Sequence, residues 1–215
     1  MDRNLRSFSR RIGKRLSQSQ KKIMEETLPK FLVNQNNPAL GLEGKDIILE
    51  IGIGMAEHFI NQCKLSPDKS FIACEPYLNG IANCLKLAED NDIENFRLWP
   101  DDADLILKNI PSSSLDKIYL LFPDPWPKTK QKKRRFGQID RIKSLKDLLK
   151  KDGEFIFASD IKDYTKDVLS IAISLGFSDN SKEANFSHEG YIQTKYHSKA
   201  IEEGRQAKFL ILRKS

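Results

Sequence analysis

The chain has 215 residues, 39% of them hydrophobic and 31% charged, which suits one domain with a sizeable core. No apolar run approaches the roughly 20 residues of a membrane helix, and the cations near the start precede no apolar signal-peptide core, so we expect a cytoplasmic protein without membrane contact. The three cysteines, Cys63, Cys74 and Cys84, lack CxxC spacing. They are predicted to be reduced core thiols, which argues against a metal site or a disulfide framework.

The net charge of +6 is distributed unevenly along the chain. Residues 1–22 contain eight Lys or Arg and one Asp, and residues 128–135 contain six Lys or Arg and no acid. The other 185 residues have a net charge of −7. Clustered cations are typical of proteins that bind a polyanion, so this layout predicts a nucleic-acid partner.

The chain begins with a predicted basic arm over residues 1–22, which has few apolar anchors and is expected to be flexible. The arm leads into a predicted helix at about residues 18–33. Residues 23–215 contain no repeat and no low-complexity segment. They are predicted to form a single domain.

Short apolar runs predict strands at residues 46–51, 70–74, 95–99, 117–122, 154–158 and 208–212. Helical patterns lie between most of these runs, such as residues 55–63, 77–90 and 139–149. Strands that are apolar on both faces and alternate with helices are typical of parallel sheets. We therefore predict a Rossmann-like α/β fold with a mostly parallel central sheet and helices on both faces.

Each of the first five predicted strands ends at an acidic residue. These residues are Glu50, Glu75, Asp101 with Asp102, Asp124 and Asp160. A single carboxylate at a strand end is commonly a helix cap. Ligands of parallel α/β sheets bind at the carboxyl ends of the strands, so five such positions together predict a binding site at that edge.

The sequence EIGIGMA at residues 50–56 places Gly52 and Gly54 directly after the first strand. Glycines at this point let the backbone approach a ligand, and the following helix directs its amide dipole there. Glu75, 21 residues beyond Gly54, can accept both hydroxyls of a ribose. Two ligands fit this pattern, a dinucleotide and S-adenosylmethionine.

The acidic surroundings favour S-adenosylmethionine. Strand-end carboxylates suit its sulfonium and amino groups and would repel a pyrophosphate. No GxxxxGK[ST] sequence occurs, which argues against nucleotide hydrolysis.

The fourth strand runs into the sequence LLFPDPWP at residues 120–127, directly before KTKQKKRR. Prolines on both sides of Asp124 fix the backbone and remove amide donors, so Asp124 and Trp126 are expected to be held in place. A rigid turn that buries Trp126 is the alternative explanation. The adjacent cations favour a site in which Asp124 faces a base beside a methyl donor while the basic segment binds phosphates.

The motifs that carry a family resemblance are EIGIG (50–54), ACEP (73–76), DADLIL (102–107), FPDPWPKTKQKKRRF (122–136), FASD (157–160) and TKYHSKAIEEGR (194–205). With them the sequence resembles the bacterial tRNA (guanine-N7-)-methyltransferase family over nearly the whole chain. The PDPWPK sequence followed by a basic run is the most specific motif. The resemblance implies a class I methyltransferase that uses S-adenosylmethionine to methylate N7 of guanine 46 in the variable loop of tRNA, as a monomer or a homodimer.

Carried over by position, the resemblance implies three groups of site residues. The residues expected to bind S-adenosylmethionine are Glu50, Gly52, Gly54, Glu75, Asp102 and Asp124, of which Asp124 is also the candidate catalytic residue. Those expected to line the guanine site are Lys128, Asp160, Thr194, Lys195, Tyr196 and His197. Those expected to meet the RNA backbone are Lys130, Lys132, Lys133, Arg134 and Arg135.

Two positions depart from the family pattern. The family often has a third glycine where this chain has Ala56, a small residue that should still fit. It usually has a glutamate at the position of His197, and an imidazole cannot reproduce the acceptor role of a carboxylate. His197 as an ordinary surface histidine is therefore an alternative.

Two other functions fit the sequence less well. The segment Asp124-Pro125-Trp126 is placed like the D-P-P-Y type segment of enzymes that methylate base amines, although Pro125-Trp126 replaces the double proline. A non-catalytic RNA-binding module that retains the fold is an alternative of another class. The acidic residues around the glycine loop argue against the second alternative.

Overall fold

The structure is a computed structural model that describes residue 13 and residues 15–39, 41–42, 45–181 and 190–215. Its strands are β1 (Ile47–Ile51), β2 (Ser70–Cys74), β3 (Phe96–Trp99), β4 (Leu115–Leu121), β5 (Leu149–Ser159), β6 (Phe177–Asp179) and β7 (Lys208–Lys214). Its helices are α1 (Gln18–Glu26), α2 (Leu28–Phe31), α3 (Glu57–Leu65), α4 (Leu78–Asp90), α5 (Asp104–Leu107), α6 (Ile139–Leu148), α7 (Lys162–Ser174) and α8 (Lys195–Glu202), together with a 3₁₀ helix over Thr129–Arg134.

The seven strands form one sheet in the order β3-β2-β1-β4-β5-β7-β6. Strands β1 to β5 are parallel, and β7 runs antiparallel between β5 and β6. The chain moves outward from β1 to β3 and then returns to place β4 beside β1. This reversal of direction between β1 and β4 is the position where open α/β sheets bind ligands. The predicted fold class is confirmed.

The core lies on both faces of the sheet because alternate strand residues point to opposite sides. One face packs against α3 and α4 through side chains such as Phe59 and Leu85. The other packs against α6 and α7 through side chains such as Leu145 and Val168. The three cysteines are free and buried. No helix in the described part of the chain is long and apolar enough to cross a membrane.

The N-terminal prediction differs from the structure in its boundaries. The predicted helix at residues 18–33 is divided, because α1 ends at Glu26 and Pro29, which lacks a backbone N–H, lies in the first turn of α2. Ser17 caps α1 by accepting the N–H of Gln20, so residues 18–22 of the predicted arm are helical. The rest of the arm prediction falls mostly on residues 1–12 and 14, which lie outside the described residues.

Candidate functional site

A cavity of about 930 Å³ opens at the carboxyl ends of β1, β2 and β4. The predicted site residues that line it are Glu50, Gly52, Gly54, Glu75, Asp102, Asp124, Arg134, Thr194, Lys195 and Tyr196. The predicted site residues outside its lining are Lys128, Lys130, Lys132, Lys133, Arg135, Asp160 and His197. The structure therefore brings all the residues predicted to bind S-adenosylmethionine to one cavity.

The glycine loop turns sharply after β1. Gly52 and Gly54 have φ angles of +80° and +56°, in the left-handed region that favours glycine. The N–H of Gly52 donates to the carbonyl of Cys74 at 2.8 Å, and the N–H of Gly54 donates to Oε2 of Glu75 at 2.8 Å. These bonds tie the loop to the end of β2.

Glu75 organises the floor of the cavity with both carboxylate oxygens. Oε2 accepts from Gly54, and Oε1 accepts the N–H of Tyr77 at 2.8 Å. Burial raises the pKa of the Glu75 carboxyl to about 7, and the two backbone hydrogen bonds oppose that shift. Each carboxylate oxygen has a further lone pair that can accept a ligand hydroxyl.

Ala56 lies at the position where the resembled family often has a third glycine. It is fully buried at the start of α3 and has a φ angle of +66°. An L-residue with a side chain in this conformation costs about 1 kcal/mol relative to glycine. Ala56 thus adopts the backbone conformation for which glycine is preferred.

Glu50 is fixed by a buried histidine that the sequence prediction did not include. The distance between Oε2 of Glu50 and Nδ1 of His58 is 2.9 Å, and both side chains are almost completely buried. His58 lies in the first turn of α3 and also lines the cavity. No sequence motif marks His58, because its pairing with Glu50 depends on how α3 packs against β1.

Asp102 is held by hydrogen bonds at the end of β3. Its Oδ1 accepts the N–H of Asp104 at 3.0 Å, and its carbonyl accepts the indole N–H of Trp99 at 2.9 Å. Arg141 on α6 forms an ion pair with Asp104 at 2.6 Å and lines the same cavity. Burial raises the pKa of Asp104, although Arg141 opposes the shift. Arg141 is a second cavity residue that the sequence prediction did not include.

The Asp124 loop, residues 122–126, has an unusual backbone. Phe122 and Trp126 have φ angles of +50° and +40°. Such conformations cost about 1–2 kcal/mol for a residue with a side chain. Backbone strain of this kind is concentrated at functional sites. Asp124 is exposed at the cavity, where desolvation by the adjacent wall raises the pKa of its carboxyl.

The basic segment, residues 128–135, follows the Asp124 loop and includes the 3₁₀ helix. Lys128, Lys130 and Lys133 are exposed. Lys132 forms an ion pair with Asp163 on α7 at 2.5 Å, and the Arg134 guanidinium lies 5.0 Å from the centre of the Trp126 ring.

Arg135 differs from the other cations of the basic segment because its side chain is only 2% exposed. Its guanidinium forms ion pairs with Asp163 and Asp167 and lies over the ring of Tyr164. A phosphate of RNA cannot reach a guanidinium that is buried and already paired. The sequence predicted that Arg135 meets the RNA backbone, whereas in the structure its side chain is buried and paired with α7.

Helix α8 forms the outer wall of the cavity. The Thr194 hydroxyl caps it by accepting the N–H of His197 at 3.2 Å. The Tyr196 side chain is 60% exposed and lies beside the glycine loop. The His197 ring stacks on Phe122, with 5.3 Å between ring centres, and its Nδ1 lies 2.8 Å from the Tyr191 hydroxyl. These contacts place His197 against the base of the Asp124 loop.

Asp160 lies at the end of β5 and is paired with an arginine. The distance between its Oδ2 and Nε of Arg205 is 2.5 Å, and Arg205 also pairs with Glu203. Arg205 belongs to the segment TKYHSKAIEEGR, but the sequence indicated no role for it. The pair joins the end of β5 to the turn that follows α8.

The cavity has the features that an S-adenosylmethionine site requires. Its volume is adequate for a ligand of that size, and its glycine loop can follow a ligand closely. Glu50, Glu75, Asp102 and Asp124 line it, which suits a ligand with cationic groups. In the described part of the chain, no group of three or more His, Cys, Asp or Glu side chains is arranged to hold a metal ion.

Comparison with protein families identifies one whose description is "Putative methyltransferase", and its match spans residues 44–210. A relative from Hyphomonas neptunium, a tRNA (guanine-N(7)-)-methyltransferase, is 37% identical over 92% of this chain and 94% of its own length. A relative from Rickettsia conorii, a bifunctional methyltransferase, is 49% identical over 97% of this chain but only 40% of its own length. The chain thus spans less than half of the Rickettsia relatives that it matches.

Comparison with solved structures supports the fold. The aminoglycoside resistance methyltransferase NpmB1 superposes with a TM-score of 0.57 over 85% of this chain and 94% of its own, at 12% sequence identity. At that identity the likeness concerns the fold alone.

Proposed function

This chain belongs to the tRNA (guanine-N(7)-)-methyltransferase family, and from that membership we propose that it methylates N7 of a guanine in tRNA with S-adenosylmethionine as the methyl donor. The target we propose is guanine 46 in the variable loop. The observation that carries the proposal is the position of Asp124, which stands at an acidic cavity directly before a segment with three exposed lysines.

S-adenosylmethionine supplies an electrophilic methyl group when it is bound. We propose that Glu75 accepts hydrogen bonds from its ribose, because this carboxylate lies at the end of β2 beside the glycine loop. Glu50 and Asp102 add negative charge to the same wall, and His58 and the N–H of Asp104 hold their carboxylates in place. The amide groups of Gly52 and Gly54 are tied to β2, so the loop can bind a ligand without first becoming ordered.

The guanine substrate needs orientation more than activation. N7 carries a free lone pair at neutral pH, so no general base has to remove a proton before it attacks a methyl group. Alignment of the two reactants can supply several kcal/mol of the barrier reduction. We propose that Asp124 orients the guanine and stabilises the positive charge that methylation leaves on the base.

The RNA backbone is proposed to lie along the exposed face of the basic segment. Lys130 and Lys133 are exposed there, whereas Lys132 and Arg135 are paired with α7. Lys128, Asp160 and residues 194–197 lie around the same edge of the sheet, where we propose that they form the guanine site. Reaching a guanine in a loop costs less than extracting one from a duplex, which favours the variable loop as the target.

We expect the variant Lys130→Ala/Lys133→Ala to bind tRNA more weakly and to lower the salt slope of log K by about 1–2, because each phosphate contact contributes slightly less than one unit. Affinity for S-adenosylmethionine should not change, since neither lysine lines the cavity. Filter binding at several salt concentrations measures the slope. The control is Lys45→Ala/Lys151→Ala, which removes two exposed lysines near the amino ends of β1 and β5. An equal loss of slope in both double variants would contradict the assignment.

Transfer of labelled methyl from S-adenosylmethionine to an unmodified tRNA transcript tests the function directly. The control transcript has adenine in place of guanine 46. Label in the first transcript only, with strand cleavage at the methylated guanine after reduction and aniline treatment, is the expected result. Label in both transcripts would mean that the protein is a methyltransferase whose target is not guanine 46. Label in neither would favour another acceptor or a non-catalytic RNA-binding role.

A further inference from the structure

Arg135 connects the Asp124 loop to α7. Its Nε donates to the carbonyl of Pro125 at 2.8 Å. Its two terminal nitrogens reach Asp167 at 3.1 Å and both carboxylate oxygens of Asp163 at 3.2 Å. The guanidinium also stacks over the Tyr164 ring, 4.6 Å from its centre. One buried side chain thus bonds the loop through one nitrogen and the helix through the other two.

The Asp124 loop has few backbone hydrogen bonds of its own. The N–H of Phe122 donates to the carbonyl of Ala158 at 2.8 Å, which holds the start of the loop. Pro123 and Pro125 have no N–H to donate. Phe122 and Trp126 adopt the left-handed φ region, which persists only where the surroundings enforce it. Pro125 directly follows Asp124 in the sequence, so a hydrogen bond at its carbonyl restrains the peptide unit between Pro125 and Trp126, one residue beyond the carboxylate.

We propose that Arg135 is a positioning residue that anchors the Asp124 loop to α7 and so holds Asp124 at the mouth of the cavity. Asp163 and Asp167 lie one turn apart on α7 and fix the plane of the guanidinium. That plane directs Nε at the Pro125 carbonyl. The role differs from phosphate binding, for which the side chain is too deeply buried.

A lysine cannot reproduce this arrangement. The guanidinium presents five N–H donors in a rigid plane, whereas an ammonium group is a point charge on a flexible chain. In Arg135→Lys the ammonium can pair with Asp163 or Asp167. It cannot at the same time donate to the Pro125 carbonyl from the position that the Nε of Arg135 occupies. The substitution therefore retains the buried charge and removes the restraint on the loop.

Trp126 makes the loop observable without any reaction. The chain has two tryptophans, so in a Trp99→Phe background the fluorescence reports Trp126 alone. Acrylamide quenching then measures how readily solvent reaches the loop. The matched control is Asp167→Asn, which weakens the contact between Arg135 and α7 but leaves Asp163 and the Pro125 hydrogen bond.

We expect Arg135→Lys to increase the quenching constant of Trp126 about twofold or more, because the loop loses its anchor, and Asp167→Asn to change it much less. An unchanged constant in Arg135→Lys would overturn the proposal. An equal increase in both variants would also overturn it, because Arg135 would then only dock the basic segment on α7. Arg135→Met serves as a second variant if Arg135→Lys fails to fold.

The catalytic consequence rests on the proposed function. Arg135→Lys should lower kcat for tRNA methylation about tenfold and change the KM for tRNA less than about threefold, because the loss is one of alignment. A loss confined to KM for tRNA, with a reduced salt slope, would instead identify Arg135 as a phosphate ligand and overturn the proposal. If the parent protein methylates no tRNA, the quenching comparison still decides whether Arg135 holds the loop.

Discussion

Asp124→Asn should lower kcat for guanine methylation by about 100-fold or more while leaving the affinity for tRNA within a few-fold of the parent value. The substitution retains the size of the side chain and removes its negative charge. A neutral amide cannot stabilise the positive charge on the methylated base to the same extent. Single-turnover rates at saturating tRNA and S-adenosylmethionine measure the effect.

The pH dependence of the reaction gives a second test of Asp124. Desolvation raises the pKa of its carboxyl, and we propose that the charged form is the active one. The rate should therefore fall as the pH is lowered through this raised pKa, at a higher pH than an ordinary aspartate would give. Asp124→Asn should lose that limb of the profile.

The control for Asp124 is Asp92→Asn. Asp92 is an exposed carboxylate between α4 and β3. It lies at the amino end of β3, whereas the cavity lies at the carboxyl ends of the strands. It has a positive φ, which asparagine tolerates well, so the variant removes one negative charge without altering the cavity. Normal turnover by Asp124→Asn, or an equal loss in Asp92→Asn, would contradict the role proposed for Asp124.

Gly80→Ala should weaken the binding of S-adenosylmethionine by about tenfold or more, in line with the 1–3 kcal/mol that overpacking costs. Gly80 lies in the first turn of α4, directly against the glycine loop. A Cβ there would overlap the carbonyl oxygen of Gly54 and lie 3.1 Å from its carbonyl carbon. The loop would have to move away, which strains the hydrogen bond between Gly54 and Glu75.

Calorimetric titration of the parent and variant proteins with S-adenosylmethionine measures this loss. The control is Gly153→Ala, because a Cβ at Gly153 would also crowd backbone oxygens, the nearest at 3.0 Å, but in the amino-terminal half of β5. Both variants should have a lower Tm, and only Gly80→Ala should have a higher Kd. Unchanged affinity in Gly80→Ala would show that the glycine loop tolerates displacement.

The strand pattern was readable from the sequence because buried parallel strands are continuous apolar runs. The second predicted strand has the same two ends as β2. The predicted strands that correspond to β1, β3, β4 and β7 begin and end within two residues of the observed strands. The first four residues of β5, LKKD, and the polar helix α8 have no such signal. Only Ala200 of α8 is buried, so few core side chains mark this helix in the sequence.

Composition does not distinguish an exposed cation from one that is paired within the protein, as Arg135 and Lys132 illustrate. Within the run KTKQKKRR every cation resembles a phosphate ligand. Asp163 lies 28 residues beyond Arg135 and pairs with both cations because α7 packs beside the basic segment. Which cations remain exposed to RNA is thus decided by packing.

The α/β architecture could be predicted from the apolar runs. The gathering of Glu50, Glu75, Asp102 and Asp124 on one side of the sheet could be predicted too, because the carboxyl ends of parallel strands all lie on that side. Three contacts are evident only from the folded chain: His58 holds Glu50, Arg141 joins the cavity wall, and Arg135 binds the Asp124 loop. The positions of the strand ends follow from the local pattern of apolar residues and from the rule that parallel strands of one sheet end on the same side. Partners between separate helices and loops depend on side-chain packing, which no local pattern encodes.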